Sequence, residues 1–260
     1  MKLWYQSSSP LEGGPNFEDY KKAIFDHSKA ILPDVKIDLH GVKKSILEVE
    51  YKYFLFLSKN EIIENMRGAE KKGYDAIALG CFLDPGLQEA RAMVEIPIAS
   101  MGESSMLFAS TLGRRFSIIT YNEKLLSAYE DNIRLYGLES RVASLGVMKS
   151  DLEMLAGAFK NPEPIINSFL DASEKAIHTG AEVMIPGCGL LNLVLAKSRV
   201  NTVRESGVPI LDCVGLNLLM AQTMARLWEV SGVRTSRRLY YARPSRELID
   251  KATELFNLPK

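Results

Sequence analysis

Two cysteines stand in matching surroundings. "EKKGYDAIALGCF" (Glu70–Phe82) and "IHTGAEVMIPGCG" (Ile177–Gly189) each run from a helix end through a glycine, Gly73 or Gly180, and a short apolar strand. Each strand leads into a Gly-Cys pair, which places Cys81 and Cys188 at equivalent points of two similar halves. Thiols so related face each other across the cleft between the halves. A thiolate on one side of a carbon and a thiol on the other can remove a proton from one face and return one to the opposite face. A free thiol titrates near ~8.5 and is lowered where the N–H groups of a helix N-terminus face the sulfur. Both cysteines read as loop residues entering helices, with Asp84 as N-cap and Pro85 as first helical residue beyond Cys81, and Gly189 turning the chain beyond Cys188. The N–H groups exposed there also suit a substrate carboxylate or imide oxygen. Cys213 has no cysteine counterpart in the first half and reads as a packing residue.

The repeat reaches beyond the cysteines. Pro97-Ile98 and Pro209-Ile210 are each followed by a glycine, Gly102 or Gly215, and an apolar helix. "DVKIDLHGV" is matched by "SRVASLGV", and the N-terminal "KLWYQS" by "FSIITYN" at Phe116–Asn122. The offset is roughly 105 to 115 residues, far beyond the ~20–50 of solenoid units, so the chain reads as duplicated α/β lobes. Strands are expected at 2–6, 35–40, 76–79, 96–99, 116–120, 142–145, 182–185 and 209–211. Helices are expected at 17–31, 60–72, 104–112, 125–136, 164–178 and 217–230. Strands alternating with helices imply right-handed parallel βαβ units, which hold ligands beyond the carboxyl ends of their strands. The expected fold class is α/β, two pseudo-symmetric lobes with mostly parallel sheets flanked by helices. Lobe 1, carrying Cys81, covers 1–113 plus part of the C-terminal segment, lobe 2, carrying Cys188, covers 114–231, and 232–260 forms an extension packing on the lobes, which can exchange helices.

Composition narrows the function classes. The 260 residues are 47% hydrophobic and 25% charged, enough to bury a full core. Thirty-two basic and 32 acidic side chains cancel, which gives no basic surface for nucleic acid or anionic lipid. Met1–Ser9 lacks the apolar core of a signal peptide, and no apolar run reaches the ~20 residues of a membrane span. Three cysteines and three histidines without metal-type spacing point to free thiols in a reducing, cytoplasmic setting, with no metal site.

The stretch "ALGCFLDPGLQEARAMVEIPIASMGESSMLFASTLGRRFSIIT", with "MIPGCGLL", "GVPILDCVG" and "TSRRLYYARP", resembles the aspartate/glutamate/hydantoin racemase superfamily over nearly the whole chain. "GCF-x-DPGL" (Gly80–Leu87) is most similar to its hydantoin and allantoin racemases. The resemblance implies cofactor-independent racemisation, with Cys81 and Cys188 as the acid/base pair and the site between two lobes. It implies a small-molecule substrate, best matched by a 5-substituted hydantoin or allantoin-like ureide, and assembly as a homo-oligomer. Amino-acid racemisation, maleate isomerisation and arylmalonate decarboxylation are alternatives on similar lobes. One departure concerns the Asn-Pro-Asn-Ser/Thr loop of such racemases: here "YQSSSP" puts Gln6 and Ser8 in place of the two asparagines, while Ser9 keeps the hydroxyl.

Further candidates follow from position. Thr120 and Tyr121 end the second lobe's first strand and, by the repeat, stand opposite the serine loop as substrate contacts. Phe82, Gly189 and Leu190 flank the thiols and offer an apolar wall and backbone donors. His40 ends a strand, and Glu103 and Asp212 follow the Pro-Ile steps as substrate contacts or helix caps. His27 and His178 fall on helices as surface or core residues.

Overall fold

A computed structural model of the chain describes residues 1–13, 15–44, 50–256 and 258. Strands β1 (Lys2–Gln6), β2 (Lys36–His40), β3 (Ala76–Leu79) and β4 (Ile98–Ser100) form one parallel sheet in the order β2-β1-β3-β4. Strands β5 (Phe116–Thr120), β6 (Val142–Val147) and β7 (Val183–Pro186) form a second in the order β6-β5-β7. The α/β class with two parallel sheets flanked by helices therefore stands. β3, β5 and β7 are buried along their whole length, as strands covered on both faces must be, and their continuous apolar runs reflect it.

Helix α1 (Pro15–Ile31) links β1 to β2, α2 (Lys52–Lys71) links β2 to β3, and α3 (Leu87–Met93) links β3 to β4. In the second half come α5 (Leu126–Leu135), α6 (Leu152–Gly157), α7 (Glu163–His178) and α8 (Gly189–Lys197). The helices after the two Pro-Ile steps are α4 (Met101–Leu112) and α9 (Cys213–Ser231). They pack on each other and cross over: α9 covers β3 and β4, while α4 meets β5 and β7. The Asn217 amide donates to the Leu79 carbonyl at 3.0 Å, fixing α9 to the end of β3. This exchange merges both sheets into one core that holds Leu3, Tyr5, Ala78, Ile118, Val183 and Leu218. The outer face of the first sheet forms a separate cluster of Trp4, Ile77, Leu79 and Ile98 with Ile62 and Met66 of α2.

Three expected elements differ. The stretch 209–211 makes isolated bridges, Met184 to Ile210 and Thr202 to Pro209, in place of an eighth strand. α2 begins at Lys52, eight positions before the expected start. The helix after Cys81 starts at Leu87, because Asp84 and Gly86 both take left-handed backbone (φ 49° and 74°).

The segment beyond α9 lies along α3. The Arg237 guanidinium donates to the Arg91 and Val94 carbonyls and pairs with Glu95 at 3.3 Å. Tyr241 donates to Gln88, and Arg243 pairs with Glu95 and Glu70. A last helix, α10 (Arg246–Leu255), buries none of its residues. No helix among the described residues is long and apolar enough to cross a membrane.

Candidate active site

Both Gly-Cys turns are built by the same hydrogen bond. The Gln6 carbonyl accepts from the Gly80 N–H at 2.7 Å, and the Ile119 carbonyl accepts from the Gly187 N–H at 2.8 Å. Each bond extends a strand pair by one step and then releases the chain, so each cysteine leaves the sheet at its carboxyl end. Glycine is required by contact at these points. A Cβ on Gly80 would lie 2.2 Å from the Tyr5 ring carbon and hydroxyl, and one on Gly187 3.0 Å from Ile118 Cγ2 and the Tyr129 hydroxyl.

The two thiols line one cavity of about 530 Å³. Ser8 and Ser9 form one wall, Phe82, Tyr121 and Leu190 the next, and Asn16, Phe17 and Tyr20 of α1 a third. Gly189 lies beside Cys188 on the same surface. A larger cleft under α10, lined by Arg67, Glu70, Arg243 and Asp250, holds no cysteine and neither Gly-Cys turn.

Two expected contacts are not brought to this surface. Side chains alternate along β1, so Gln6 shares the face of Trp4: its side-chain carbonyl accepts from the indole N–H at 3.0 Å and its amide donates to the Ser7 carbonyl. The Thr120 hydroxyl is buried against that of Tyr129 at 3.1 Å, and Tyr129 donates onward to the Gly187 carbonyl at 2.5 Å. Both residues support the turns from behind. Tyr5, Tyr20 and Tyr129, with Asn16, Phe17, Leu125 and Lys160 of the lining, are not indicated by the repeat or the resemblance. The 16, 17, 20 spacing on a helix that follows the serine loop was the available signal for Tyr20.

The thiols are not lowered as a helix N-terminus alone would dictate. Burial pushes Cys81 up to about 11, although the Ser8 hydroxyl and the Leu83 N–H favour its thiolate. Burial also raises Cys188, against the N–H groups of Leu191 and Leu190. Desolvation of the anion outweighs the donors at both sulfurs. The turns are otherwise unlike. Cys188 is the N-cap of α8, with extended backbone (φ −153°), whereas Cys81 opens a tight turn in which its carbonyl accepts from the Asp84 N–H at 3.1 Å.

Asp84 caps a helix other than its own. Its carboxylate accepts from the Gly102 and Glu103 N–H groups at 2.8 and 2.7 Å, from the Ser100 hydroxyl, and from the Tyr136 hydroxyl at 2.6 Å. The first turn of α4 is thus tied to the Cys81 turn and, through Tyr136, to the end of α5. The Asn132 amide adds a bond to the Leu83 carbonyl at 3.1 Å. Glu103 pairs with Arg91 at 2.5 Å. Asp212 caps α9 at the Gly215 N–H and pairs with His27 at 2.9 Å. His40 stacks on Trp4 with ring centroids 3.3 Å apart. None of Glu103, Asp212 and His40 lines the cavity. Cys213 is buried against the Pro186 carbonyl. No cluster of three or more His, Cys, Asp or Glu side chains suited to a metal occurs among the described residues.

A family model described as Asp/Glu/Hydantoin racemase matches residues 56–221, which include both Gly-Cys turns. The chain belongs to the Asp/Glu/hydantoin racemase family. It is accordingly an isomerase of the racemase type. It is 29% identical over 224 residues to a hydantoin racemase of Pseudomonas sp. (strain NS671), covering 86% of each chain. Its fold is similar to that of an allantoin racemase from Klebsiella pneumoniae (TM-score 0.80, 21% identity, 94% of each chain). It is also similar to that of an allantoin racemase from Pseudomonas fluorescens (TM-score 0.78, 20% identity, 94% of this chain and 97% of that one). At these identities the structural likeness speaks for the fold, and the racemase-family assignment rests on the sequence match.

Proposed function

We propose that this racemase inverts the configuration of a carbon α to a carbonyl in a 5-substituted hydantoin or related cyclic ureide, without a cofactor. Cys81 and Cys188 act as the two bases. The observation that carries the reading is the pair of thiols on one cavity, each delivered by the same glycine-anchored turn at the end of a parallel strand. One sulfur, as thiolate, takes the C5 proton from its side of the ring. The other, as thiol, gives its proton to the opposite face, and the protonation states are exchanged after each turnover.

The cavity favours a neutral ring over a free amino acid. Its walls are mainly apolar and hydroxylic, and the one ammonium on them among the described residues, Lys160, is exposed and pairs with Asp19 at 3.7 Å. A free amino acid presents a carboxylate and a weakly acidic Cα–H, both calling for cationic help. In a hydantoin the carbanion is an enolate spread into the ring. Phe17, Phe82, Leu125 and Leu190 offer contact for an apolar 5-substituent. Burial makes each thiolate scarcer at neutral pH and a stronger base once formed.

The test is Cα–H exchange in D₂O followed by NMR, with circular dichroism tracking optical activity. The panel holds enantiopure 5-substituted hydantoins, allantoin, aspartate, glutamate, an arylmalonate and maleate, with a chelator present. Exchange with loss of optical activity in a hydantoin supports the reading. Racemisation of aspartate or glutamate alone moves the substrate to amino acids, and consumption of maleate or the arylmalonate alone replaces the two-base mechanism.

A further inference from the structure

Two phenols beside the thiols have no part in the proton transfers. Tyr5 holds the place in the first sheet that Ile118 holds in the second, since each precedes the residue whose carbonyl binds the turn glycine. Isoleucine suffices to pack against Gly187, yet the first half has a hydroxyl at this point. That hydroxyl lies where a Gly80 side chain would begin, one residue from Cys81. It is fully buried and completes no hydrogen bond of ordinary length and angle among the described residues, although the Tyr20 hydroxyl stands close enough to interact with it. A buried donor without a well-formed bond is uncommon enough to require a reason.

Tyr20 adjoins it from α1 and lines the cavity. Its hydroxyl lies 3.4 Å from where a Cβ on Gly189 would sit, beside Cys188. One phenol thus stands at each Gly-Cys turn. Burial holds both protonated through the working pH range, which keeps them donors.

We propose that the Tyr20 hydroxyl donates to a substrate carbonyl oxygen held between Cys81 and Cys188, and that the Tyr5 hydroxyl donates to the Tyr20 oxygen behind it. This rests on the racemase reading above. Each phenol has one proton to give and lone pairs to receive, so the chain Tyr5 to Tyr20 to substrate uses every donor once. When one sulfur takes the Cα proton, the C–H electron pair moves into a C=C bond and the carbonyl becomes an enolate oxygen. The Tyr20 bond strengthens at that moment without transferring its proton. The opposite thiol then delivers its proton to the carbon and the carbonyl re-forms. Tyr20 is a catalytic residue in this scheme and Tyr5 a positioning residue acting through it.

The experiment compares Tyr20→Phe, Tyr5→Phe and the double variant with the wild type on an enantiopure 5-substituted hydantoin. Removing a donor from a developing oxyanion lowers kcat by about 100-fold, so Tyr20→Phe is expected to do so with KM within about threefold. Tyr5→Phe should cost about fivefold, and the double variant should stay within about threefold of Tyr20→Phe, because the two act in series. Site-specific 3-fluorotyrosine at position 20 keeps the fold and sharpens the donor. It should raise kcat, whereas a packing role leaves kcat unchanged. Wild-type turnover with Tyr20→Phe within threefold of it, or an unchanged fluorotyrosine enzyme, overturns this inference alone. Absence of any hydantoin turnover by the wild type overturns the hydantoin reading beneath it as well.

Discussion

Replacing Asp84 by asparagine should remove a pH dependence from the stability of the protein. The Asp84 carboxylate is buried behind the Cys81 turn, and burial lifts it to about 6 from an ordinary 3.8 even though four donors point at it. A folded pKa above the unfolded one means that the fold prefers the protonated form. Its stabilising contribution is complete below the unfolded value and is lost as pH rises through about 6. The shift corresponds to about 3 kcal/mol in total, of which about 2 kcal/mol falls between about pH 4.5 and 7.5. The asparagine side chain keeps an acceptor for the α4 N–H groups and cannot ionise. The assay is urea unfolding of both proteins across that window, with the stability difference plotted against pH. Wild type should lose about 2 kcal/mol relative to Asp84→Asn from the acid to the alkaline end. A flat difference, or one in which wild type gains with rising pH, would show that the four donors outweigh desolvation and would refute the reasoning.

Three further outcomes follow from the same geometry. Gly80→Ala forces a Cβ to 2.2 Å from the Tyr5 ring and Gly187→Ala to 3.0 Å from its neighbours, so both overpack and the first should cost more, about 1–3 kcal/mol; equal unfolding midpoints would contradict it. Because burial raises both thiols, labelling by iodoacetamide should be slow near neutral pH and climb into the alkaline range. Mass spectrometry should find Cys188 modified first, since it alone sits at a helix N-terminus, and Cys81 reacting first would contradict this. His40, lowered to about 4 by burial against Trp4 and by Lys72, should stay neutral in NMR titrations down to about pH 5. Its contribution to stability is present above the ordinary histidine value and is lost as pH falls towards its folded one, so His40→Gln should lessen acid sensitivity.

Where the candidate site lies was legible in the sequence because the repeat is local. A helix end, a glycine, an apolar strand and Gly-Cys follow one another within 13 residues, so the two copies could be aligned by eye and the thiols located. Seven strands were legible for a similar reason, as short apolar runs between helical stretches. What sequence could not supply was long-range. Asp84-Pro85 satisfies the local rule for starting a helix, but the Asp84 carboxylate serves α4, 18 residues on, because the chain turns left-handed at 84 and 86. Thiol acidity is not legible in the motif, since donors near a sulfur can be read from it while burial cannot. The family's loop pattern puts Gln6 toward substrate, whereas strand alternation turns it to the side of Trp4 and gives Tyr5 the inner position. The stretch 209–211 has the composition of a strand, yet it makes only single-residue bridges.

In the proposed mechanism each thiol serves one face of the substrate. The most direct test is Cys81→Ser beside Cys188→Ser, each incubated in D₂O with either enantiomer of a hydantoin that the wild type racemises. Deuterium incorporation and inversion are read on the same samples. Neither variant is expected to invert the carbon. Residual exchange should be confined to one enantiomer, the opposite one for each variant. Racemisation at a normal rate by either serine variant, or exchange by both variants on the same enantiomer, would contradict the two-thiol mechanism.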